Sequence, residues 1–375
     1  MRQVGTLVKW VLKPAAWGFY FLVVFEILFM ISPVALHYYS VYGPVLNSFH
    51  RSPATSWLTQ FYLPHFSRTG GVVLDSIPMV SRVLILAGVG FFLAAAIPLY
   101  KSRILRRGAM IAGPYRYIRH PQYVALAILG LGTSLLWPRF FVLVSYVTMV
   151  FLYLVLARWE EDQCLRRFGE SYRAYQESTG MFLPRRVEDR LPRLIPARGL
   201  ARLLIGMMMY VGLIASTLAL GFALRDHSLS RISALYLEDA VVISPAVLAH
   251  EELETVYEIA LSDAEVKERM LMAGARKRIL YVVPAKWYLP DLPMEAEFRP
   301  GGHRTPSDFD RSRFKVLVTA ARIHDRDATG RDIVKSAYGR VPIAIVRVDA
   351  STRQVLAVET PPPHVHWGDI PTPMF

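Results

Sequence analysis

The sequence predicts an α-helical integral membrane protein of about five transmembrane helices, followed by a soluble α+β domain. Of the 375 residues, 53% are hydrophobic. Before position 225 they gather in uncharged runs of about 20 residues, the length that a bilayer core requires. Beyond that position the apolar runs are short and polar residues separate them, as in a soluble domain. We therefore divide the chain into a membrane core, residues 1–224, and a soluble domain, residues 225–375.

Positive charge is concentrated between the apolar runs. The net charge of +13 raises the question of nucleic-acid binding, but the basic residues cluster in the short segments that join the runs. This is the positive-inside bias of membrane proteins, so we expect no nucleic-acid partner. The metal-like patterns that begin at His250, Asp325 and His364 are incomplete or isolated, and no metal site is expected. The single cysteine, Cys164, excludes an intrachain disulfide framework and is either reactive or a small packing residue.

The membrane core is predicted to begin with an uncleaved anchor. The apolar run 14–36 follows three basic residues, is long, and precedes no small-residue cleavage site. Glu26, in its middle, is either a functional group or a carboxyl that bonds to a neighbouring helix. Residues 37–78 are aromatic and interrupted by proline and glycine. Because tyrosine and tryptophan favour the membrane interface, this segment is predicted to be an exoplasmic cap.

Four further spans complete the predicted core, at residues 79–100, 123–136, 140–157 and 203–224. A tight turn at 137–139 should join two of them into a helical hairpin. Charged residues resume at Arg158. A stripe of apolar and aromatic residues that repeats every 3.6 residues follows and ends at Tyr175, and this stripe predicts an amphipathic cytosolic helix. Counting Lys and Arg places residues 158–202 in the cytoplasm, so five spans place residues 225–375 outside it.

The C-terminal segment has the pattern of an α+β domain. A helix rich in Glu is predicted over residues 245–272, and strands are predicted at 279–283, 314–323, 341–348 and 354–359. The last two strands are separated by a polar turn at Asp349–Arg353. No motif in this segment predicts an activity, and binding of a partner protein is one role that stays open for it.

Two elements of the core carry the candidate site. Gly113–Tyr123 is basic and aromatic, and its two prolines set turns at the mouth of the helical bundle. Arg158, Glu160 and Glu161 follow the hairpin, which returns them to the same face. Each element alone has a structural explanation, since arginines set topology and acids complement a helix dipole. Together they predict a half-buried pocket of cationic donors and carboxylates, suited to a zwitterionic cofactor.

These residues resemble the isoprenylcysteine carboxyl methyltransferase and phospholipid methyltransferase superfamily of integral membrane enzymes. The resemblance covers residues 79–186 and depends on Gly113-Pro-Tyr-x-Tyr-x-Arg-His-Pro-x-Tyr123, Glu160-Glu161 and Phe168-Gly-x-x-Tyr-x-x-Tyr175, closing at Pro184. It implies methyl transfer from S-adenosylmethionine to a lipid or a lipidated, isoprenylcysteine-like substrate at the cytosolic side.

The family pattern assigns roles to individual residues of this chain. The expected cofactor-binding residues are Tyr115, His120, Pro121, Tyr123, Glu160 and Glu161. Arg119, Arg158 and Glu161 are the predicted catalytic residues, with both arginines near the cofactor carboxylate or the methyl acceptor. An amine or thiol acceptor would need deprotonation, in which His120 or Glu161 could assist, whereas a carboxylate acceptor would need no base.

Two other functions are also compatible with the sequence. Membrane sterol reductases resemble the superfamily in their paired acidic residues and tyrosines, so a nicotinamide-dependent membrane reductase is one alternative. The other is a non-catalytic membrane anchor whose residues 225–375 bind a partner protein. The expected location is a bacterial inner membrane, with the C-terminal domain outside the cytoplasm.

Overall fold

The computed structural model describes residues 48–65, 67–104, 112–190, 200–287 and 308–361, and five separate positions before residue 25. Glu26 and most of the predicted first span lie outside the described residues, as does His364. The described residues divide into two compact units. A helical unit is formed mainly by Ile77–Trp137 and Phe141–Leu220, and a sheet unit by the described parts of 29–76, Pro138–Phe140 and the chain from Gly221 onward.

The helical unit is built from long apolar helices. The helices are α1 (Val72–Ile104), α2 (Pro121–Leu136), α3 (Phe140–Phe168), α4 (Glu170–Ser178), α5 (Arg185–Glu188) and α6 (Leu200–Arg231). Among the described residues, three stretches are long and apolar enough to cross a membrane: Val72–Leu99, Phe140–Phe168 and Leu203–Arg231. The predicted span at 123–136 corresponds to α2, which is apolar but shorter. The prediction of a multispanning helical core with a C-terminal domain is confirmed, and the number of spans is approximate.

Glycines allow α1 and α2 to approach closely. A Cβ atom added at Gly132 would lie 2.8 Å from the backbone nitrogen of Ile85, and one at Gly88 would lie 2.6 Å from that of Leu129. The hydroxyl of Ser81 donates a hydrogen bond of 2.7 Å to the carbonyl of Gly132. Small residues permit such backbone contact in membrane helices. α2 is thereby fixed against α1.

The opposite side of α2 packs on α3. Leu126 of α2 forms a buried cluster with Met149, Leu152, Tyr153 and Leu156 of α3, which confirms the predicted helical hairpin. A hairpin returns the chain to its starting level. The first turn of α2 is therefore held beside the last turns of α3, where the candidate residues lie.

Apolar side chains also cover the outer faces of α1 and α6. Leu86 is 73% exposed and Met208 is 72% exposed. In water such an apolar surface would favour aggregation, whereas lipid solvates it. These faces agree with a membrane protein.

The charged end of α3 differs from the predicted amphipathic helix that begins at Arg158. α3 continues without a break to Phe168, and the chain bends at Gly169, whose φ of +53° is in the left-handed region. Glycine adopts that conformation without a Cβ penalty. The helix continues past Arg158, and there Glu160 and Glu161 accept hydrogen bonds from Tyr123 and Arg119. The separate amphipathic segment is the short α4.

The sheet unit contains a mixed six-stranded sheet with the order β1-β2-β3-β4-β5-β6. The strands are β1 (Ser233–Tyr236), β2 (Ala240–Ser244), β3 (Arg278–Pro284), β4 (Arg313–Ile323), β5 (Ala337–Asp349) and β6 (Gln354–Glu359). β2 and β3 are parallel, and every other neighbouring pair is antiparallel. The parallel pair is connected by α7 (His250–Ser262) and α8 (Ala264–Met272), and α9 (Arg331–Ser336) precedes β5.

Both faces of this sheet are covered. One face packs on Leu253, Val256 and Ile259 of α7. The other face packs on Leu229 at the end of α6 and on Ile333 of α9. The sheet therefore has a core on each side, as a parallel connection requires.

The four predicted strands are present as β3 to β6, whereas β1 and β2 were missed. The predicted helix over 245–272 begins at His250 and is divided at Asp263. Oδ1 of Asp263 accepts hydrogen bonds from the backbone N–H groups of Glu265 (2.8 Å) and Val266 (3.2 Å). This is an N-cap, which starts a new helix at that residue. At the predicted turn between β5 and β6, Oδ1 of Asp349 accepts from the N–H of Ser351 at 3.0 Å.

The segment predicted as a cap belongs to the sheet unit. The N–H of Tyr62 donates to the carbonyl of Pro138 at 2.8 Å, and the N–H of Arg68 donates to the carbonyl of Pro245 at 2.9 Å. The side-chain amide of Gln60 donates to the carbonyl of Lys335 at 2.9 Å. The described part of the cap therefore packs with the C-terminal domain in one compact unit.

Candidate active site

A cavity of about 350 Å³ lies within the helical unit, between the first turn of α2, the end of α3 and α4. It is lined by polar and aromatic side chains with a smaller apolar part: Leu99, Tyr115, Arg119, His120, Gln122, Tyr123, Glu160, Cys164, Phe168, Ser171, Tyr172 and Tyr175. The cavity thus contains residues of both elements that the sequence singles out.

The loop before α2 is fixed by backbone pairing. The N–H of Arg119 donates to the carbonyl of Gly180 at 2.8 Å, and the N–H of His120 donates to that of Met181 at 3.1 Å. Pro121 is the first residue of α2 and needs no acceptor at that position. The side chains of Arg119 and His120 therefore project from a backbone that is fixed by these hydrogen bonds and by the start of α2.

A buried ion pair connects this loop to α3. Nε of Arg119 lies 2.5 Å from Oε1 of Glu161, and the two side chains are 8% and 12% exposed. Nη1 of Arg119 also donates to the carbonyls of Gln176 and Thr179. The amide of Gln176 donates to Oε2 of Glu161 at 3.1 Å. Both oxygens of Glu161 are thereby engaged, so this carboxylate is held in one orientation.

His120 lies between the two acids. Its Nδ1 is 3.8 Å from Oε2 of Glu160 and its Nε2 is 3.4 Å from Oε1 of Glu161. Within the described residues, Nε2 is buried and has no partner with hydrogen-bond geometry. The imidazole stacks on the ring of Tyr123, with centroids 5.6 Å apart. The hydroxyl of Tyr123 donates to Oε1 of Glu160 at 3.0 Å, so Glu160 is oriented toward the cavity by a different donor than Glu161.

The aromatic residues of α4 form the opposite wall. The hydroxyl of Tyr175 donates to the carbonyl of Tyr115 at 2.6 Å, which connects α4 to the loop before α2. Burial, with Glu161 adding to it, raises the pKa of the Tyr172 hydroxyl above its ordinary value, and burial likewise raises the pKa of Tyr175. Both phenols stay protonated at neutral pH and act as hydrogen-bond donors.

The structure brings most of the predicted site residues together. Five of them line the cavity: Tyr115, Arg119, His120, Tyr123 and Glu160. Glu161 lies behind this wall, bound to Arg119. Pro121 and Arg158 are outside the lining, the first as the start of α2 and the second on α3 where it is half-buried.

The site residues expected from the sequence did not include Phe168, Tyr172 and Tyr175, although all three line the cavity. Their helical spacing was visible, but a stripe of this kind is also the signature of a packing face. Cys164 lines the cavity as well and is half-buried.

This geometry lies in a segment that matches a known family. Residues 80–171 match the model of the phospholipid methyltransferase family. These residues are similar to a phospholipid methyltransferase domain, and we call residues 80–171 the methyltransferase domain after this match. The match is consistent with the superfamily resemblance over 79–186, and together with the apolar helices it indicates a membrane methyltransferase. Tyr172 and Tyr175 follow directly after the matched domain. No curated protein and no solved structure matches the chain.

Proposed function

We propose that this protein transfers a methyl group from S-adenosylmethionine to a lipid or a lipidated substrate at the membrane. The observation that carries the proposal is the cavity in the methyltransferase domain, which combines carboxylate, imidazole and aromatic walls. Its volume of about 350 Å³ falls in the range of roughly 300–1,000 Å³ of small-molecule sites.

The residues of the cavity fit this cofactor. S-adenosylmethionine contains a sulfonium and an ammonium group, and aromatic faces attract such cations. Tyr115, Tyr123 and Tyr172 supply those faces on different walls, and Glu160 supplies a carboxylate beside them. The buried Nε2 of His120, which lacks a hydrogen bond within the described residues, can bind a polar group of the ligand. When bound, the cofactor supplies an electrophilic methyl group.

The ion pair behind the wall has a positioning role in this proposal. Arg119 directs three contacts at Glu161 and the carbonyls of α4 and its end. Glu161 in turn lies 3.4 Å from His120. Arg119 therefore acts through Glu161 and His120 rather than on the reacting atoms, and it keeps these groups within the small tolerance that methyl transfer allows.

His120 is the proposed base where the acceptor is an amine or a thiol. Its imidazole would accept the proton of the acceptor, and Glu161 would stabilise the resulting imidazolium. A carboxylate acceptor needs no such step. In both cases the aromatic side chains of the lining would displace water from the acceptor and strengthen local electrostatic interactions.

The proposed acceptor reaches the cavity from the membrane. Leu99 near the end of α1 and Phe168 at the end of α3 are apolar parts of the lining. Leu99 is the last residue of the membrane-spanning part of α1, and Phe168 is the last residue of that of α3. An acyl or isoprenyl chain would contact these side chains while the reactive group enters the polar part of the cavity.

Cofactor binding tests the proposal directly. Radiolabelled S-adenosylmethionine is added to purified full-length protein, and Glu160→Gln is expected to weaken binding at least tenfold because it removes the carboxylate of the cavity. Glu170→Gln makes the same chemical change on a carboxylate that is 82% exposed and pairs with Arg173, and it should bind as the wild type does. Absence of binding by the wild type, or equal binding by Glu160→Gln, would contradict the proposed cofactor site.

The methyl acceptor is tested separately. Membranes containing the protein are incubated with cofactor labelled in the methyl group, and label is expected in the lipid extract or on a lipidated protein. His120→Ala should abolish this labelling. Label that enters neither fraction, from a protein that binds the cofactor, would overturn the substrate class and leave the cofactor site standing.

A further inference from the structure

A second cavity, of about 330 Å³, lies within the sheet unit. It is lined by residues of the cap, of the end of α6 and of the loop and helix before β5: Pro53, Ser56, Trp57, Gln60, Phe222, Arg225, Asp226, His324, Lys335 and Ser336. It shares no lining residue with the cavity of the methyltransferase domain. Its chemistry is therefore not explained by methyl transfer.

Positive charge predominates in this lining. Arg225 is buried, and its guanidinium donates to Oε1 of Gln60, a neutral amide. Nζ of Lys335 lies 2.6 Å from Oδ1 of Asp226 and 3.7 Å from Oδ1 of Asp332, which is outside the lining. Asp226 is also the charged neighbour of Arg225. Among the described residues of the lining, Asp226 is the one carboxylate, so two permanent cations share it. His324 adds an imidazole.

Further positive charge lies behind the wall. Burial, together with the charges of Arg340, Arg139 and His324, lowers the pKa of His50 to about 3. Arg139 is itself fully buried. Burial is the largest cause of this lowering, and the two arginines add a positive potential around the imidazole. Such a potential favours an anionic ligand.

The cavity wall is held rigidly. The side chain of Gln60 bonds both to Arg225 and to the carbonyl of Lys335, the latter at 2.9 Å. The ring of His324 stacks on that of Tyr338 with centroids 4.3 Å apart. Its Nε2 lies 3.2 Å from the carbonyl of His50. The cationic groups are therefore in place before a ligand arrives, which lowers the entropy cost of binding.

The cavity also lies at the level of a membrane surface. Arg225 is the first charged residue after the apolar run that begins at Leu203. Beside it, Trp57 packs on Phe222 with ring centroids 5.9 Å apart, and tryptophan favours the interface between lipid and water. Phosphate groups of lipids lie at the same level.

We propose that this cavity binds a phosphate group, with Lys335 donating to its oxygens and the buried charge of Arg225 attracting it. An ammonium has three donors. Asp226 and Asp332 face two of them and fix the side chain, which leaves the third for the phosphate. The phosphate belongs either to an anionic lipid headgroup or to a soluble phosphate compound, and both present the same oxygens to the site.

Binding to the purified full-length protein tests this site. Affinity for inorganic phosphate is measured against chloride at equal ionic strength, and retention of phosphatidylglycerol is measured by native mass spectrometry. Lys335→Gln is expected to weaken binding at least tenfold. Lys277→Gln is the matched control, because Lys277 also forms an ion pair of 2.6 Å, with Asp239, and lies outside the cavity lining. It should bind as the wild type does.

Asp226→Asn gives a second test of opposite sign. It removes the carboxylate that opposes the anion, so binding should become several times tighter.

Binding of inorganic phosphate would identify a soluble compound as the source, and binding of phosphatidylglycerol alone would identify a lipid headgroup. The proposal is overturned if the wild type binds neither probe. It is equally overturned if Lys335→Gln binds as the wild type does, or if Asp226→Asn does not bind more tightly.

Discussion

Arg119 of the helical unit and Arg225 of the sheet unit are both buried, but their partners differ. Arg119 faces the carboxylate of Glu161 at 2.5 Å, whereas Arg225 donates to the neutral amide of Gln60. A buried cation that is paired with an anion fixes geometry and leaves little net field. Arg225 shares the carboxylate of Asp226 with Lys335, so part of its charge is left to raise the local potential. The same residue type therefore orders one cavity and attracts a ligand to the other.

The two cavities reflect this difference although their volumes, about 350 and 330 Å³, are similar. In the methyltransferase domain, Glu160 and the tyrosines present negative charge and aromatic faces, which suit a cationic cofactor. In the sheet unit, Lys335 and Arg225 present positive charge, which suits a phosphate. Volume is a poor guide to the ligand class here, and the sign of the buried charge is a better one.

The largest effect expected from this comparison is that of Arg119→Ala. Removing one partner leaves Glu161 buried without its cation, which costs about 3–5 kcal/mol. The free energy of unfolding of the purified protein measures this loss, and methyl transfer should disappear as well. Arg173→Ala breaks an exposed pair with Glu170 and should cost about 0–1 kcal/mol. Equal losses in the two variants would show that burial does not distinguish the pairs.

The next effect concerns the positive field of the sheet unit and its dependence on pH. The pKa of His50 is about 3 in the folded chain and about 6.5 when unfolded. Below pH 6.5 the unfolded state binds the proton and the folded state does not. Stability is therefore fully present above pH 6.5 and falls by about 1.4 kcal/mol per pH unit, or about 2.7 kcal/mol at pH 4.5.

His50→Asn should remove this part of the acid sensitivity, as measured by the free energy of unfolding between pH 7 and pH 4.5. His227→Asn, at an exposed histidine, controls for the loss of one titrating group. Parallel pH profiles for the wild type and His50→Asn would show that His50 is not held neutral in the folded protein.

The smallest effect is expected for Gln60→Ala, which removes the neutral partner of Arg225. The side chain also bonds to the carbonyl of Lys335, so buried groups on both sides lose a partner, at a cost of about 1–3 kcal/mol. Thermal unfolding of the full-length protein measures the change. Gln354→Ala, at an exposed position at the start of β6, should leave the midpoint unchanged. A loss in Gln354→Ala as large as that in Gln60→Ala would contradict the role of the buried amide.

Hydropathy predicted the membrane helices well because a span needs about 20 apolar residues in succession, and β3 to β6 were visible from their composition and turns. β1 and β2 were missed because both strands are short. β1 begins just after α6, and β2 is wholly buried, so it lacks the alternation of a half-exposed strand. The break at Asp263 was missed because it depends on one side chain that caps the following helix. A structural feature that depends on many successive residues can be recognised in a single sequence, whereas a feature that depends on one side-chain contact cannot.

The candidate site shows the same division. The motif at 113–123 and the paired acids predicted that His120 and Glu161 are near each other, and their atoms lie 3.4 Å apart. The sequence does not distinguish Glu160 from Glu161, since both are glutamates on one helix. Their different surroundings arise from Tyr123 on one side and Arg119 on the other.

The sequence by itself determined the membrane class, the methyltransferase motif and the residues that gather at the end of the helical hairpin, because these follow from local composition and spacing. The tertiary structure decided which carboxylate faces the cavity and which is held by Arg119. It also brought the cap, α6 and the loop before β5 together around the second cavity. Gln60 and Lys335 are 275 residues apart, and no local pattern records a contact over that distance. Packing of the folded chain creates it.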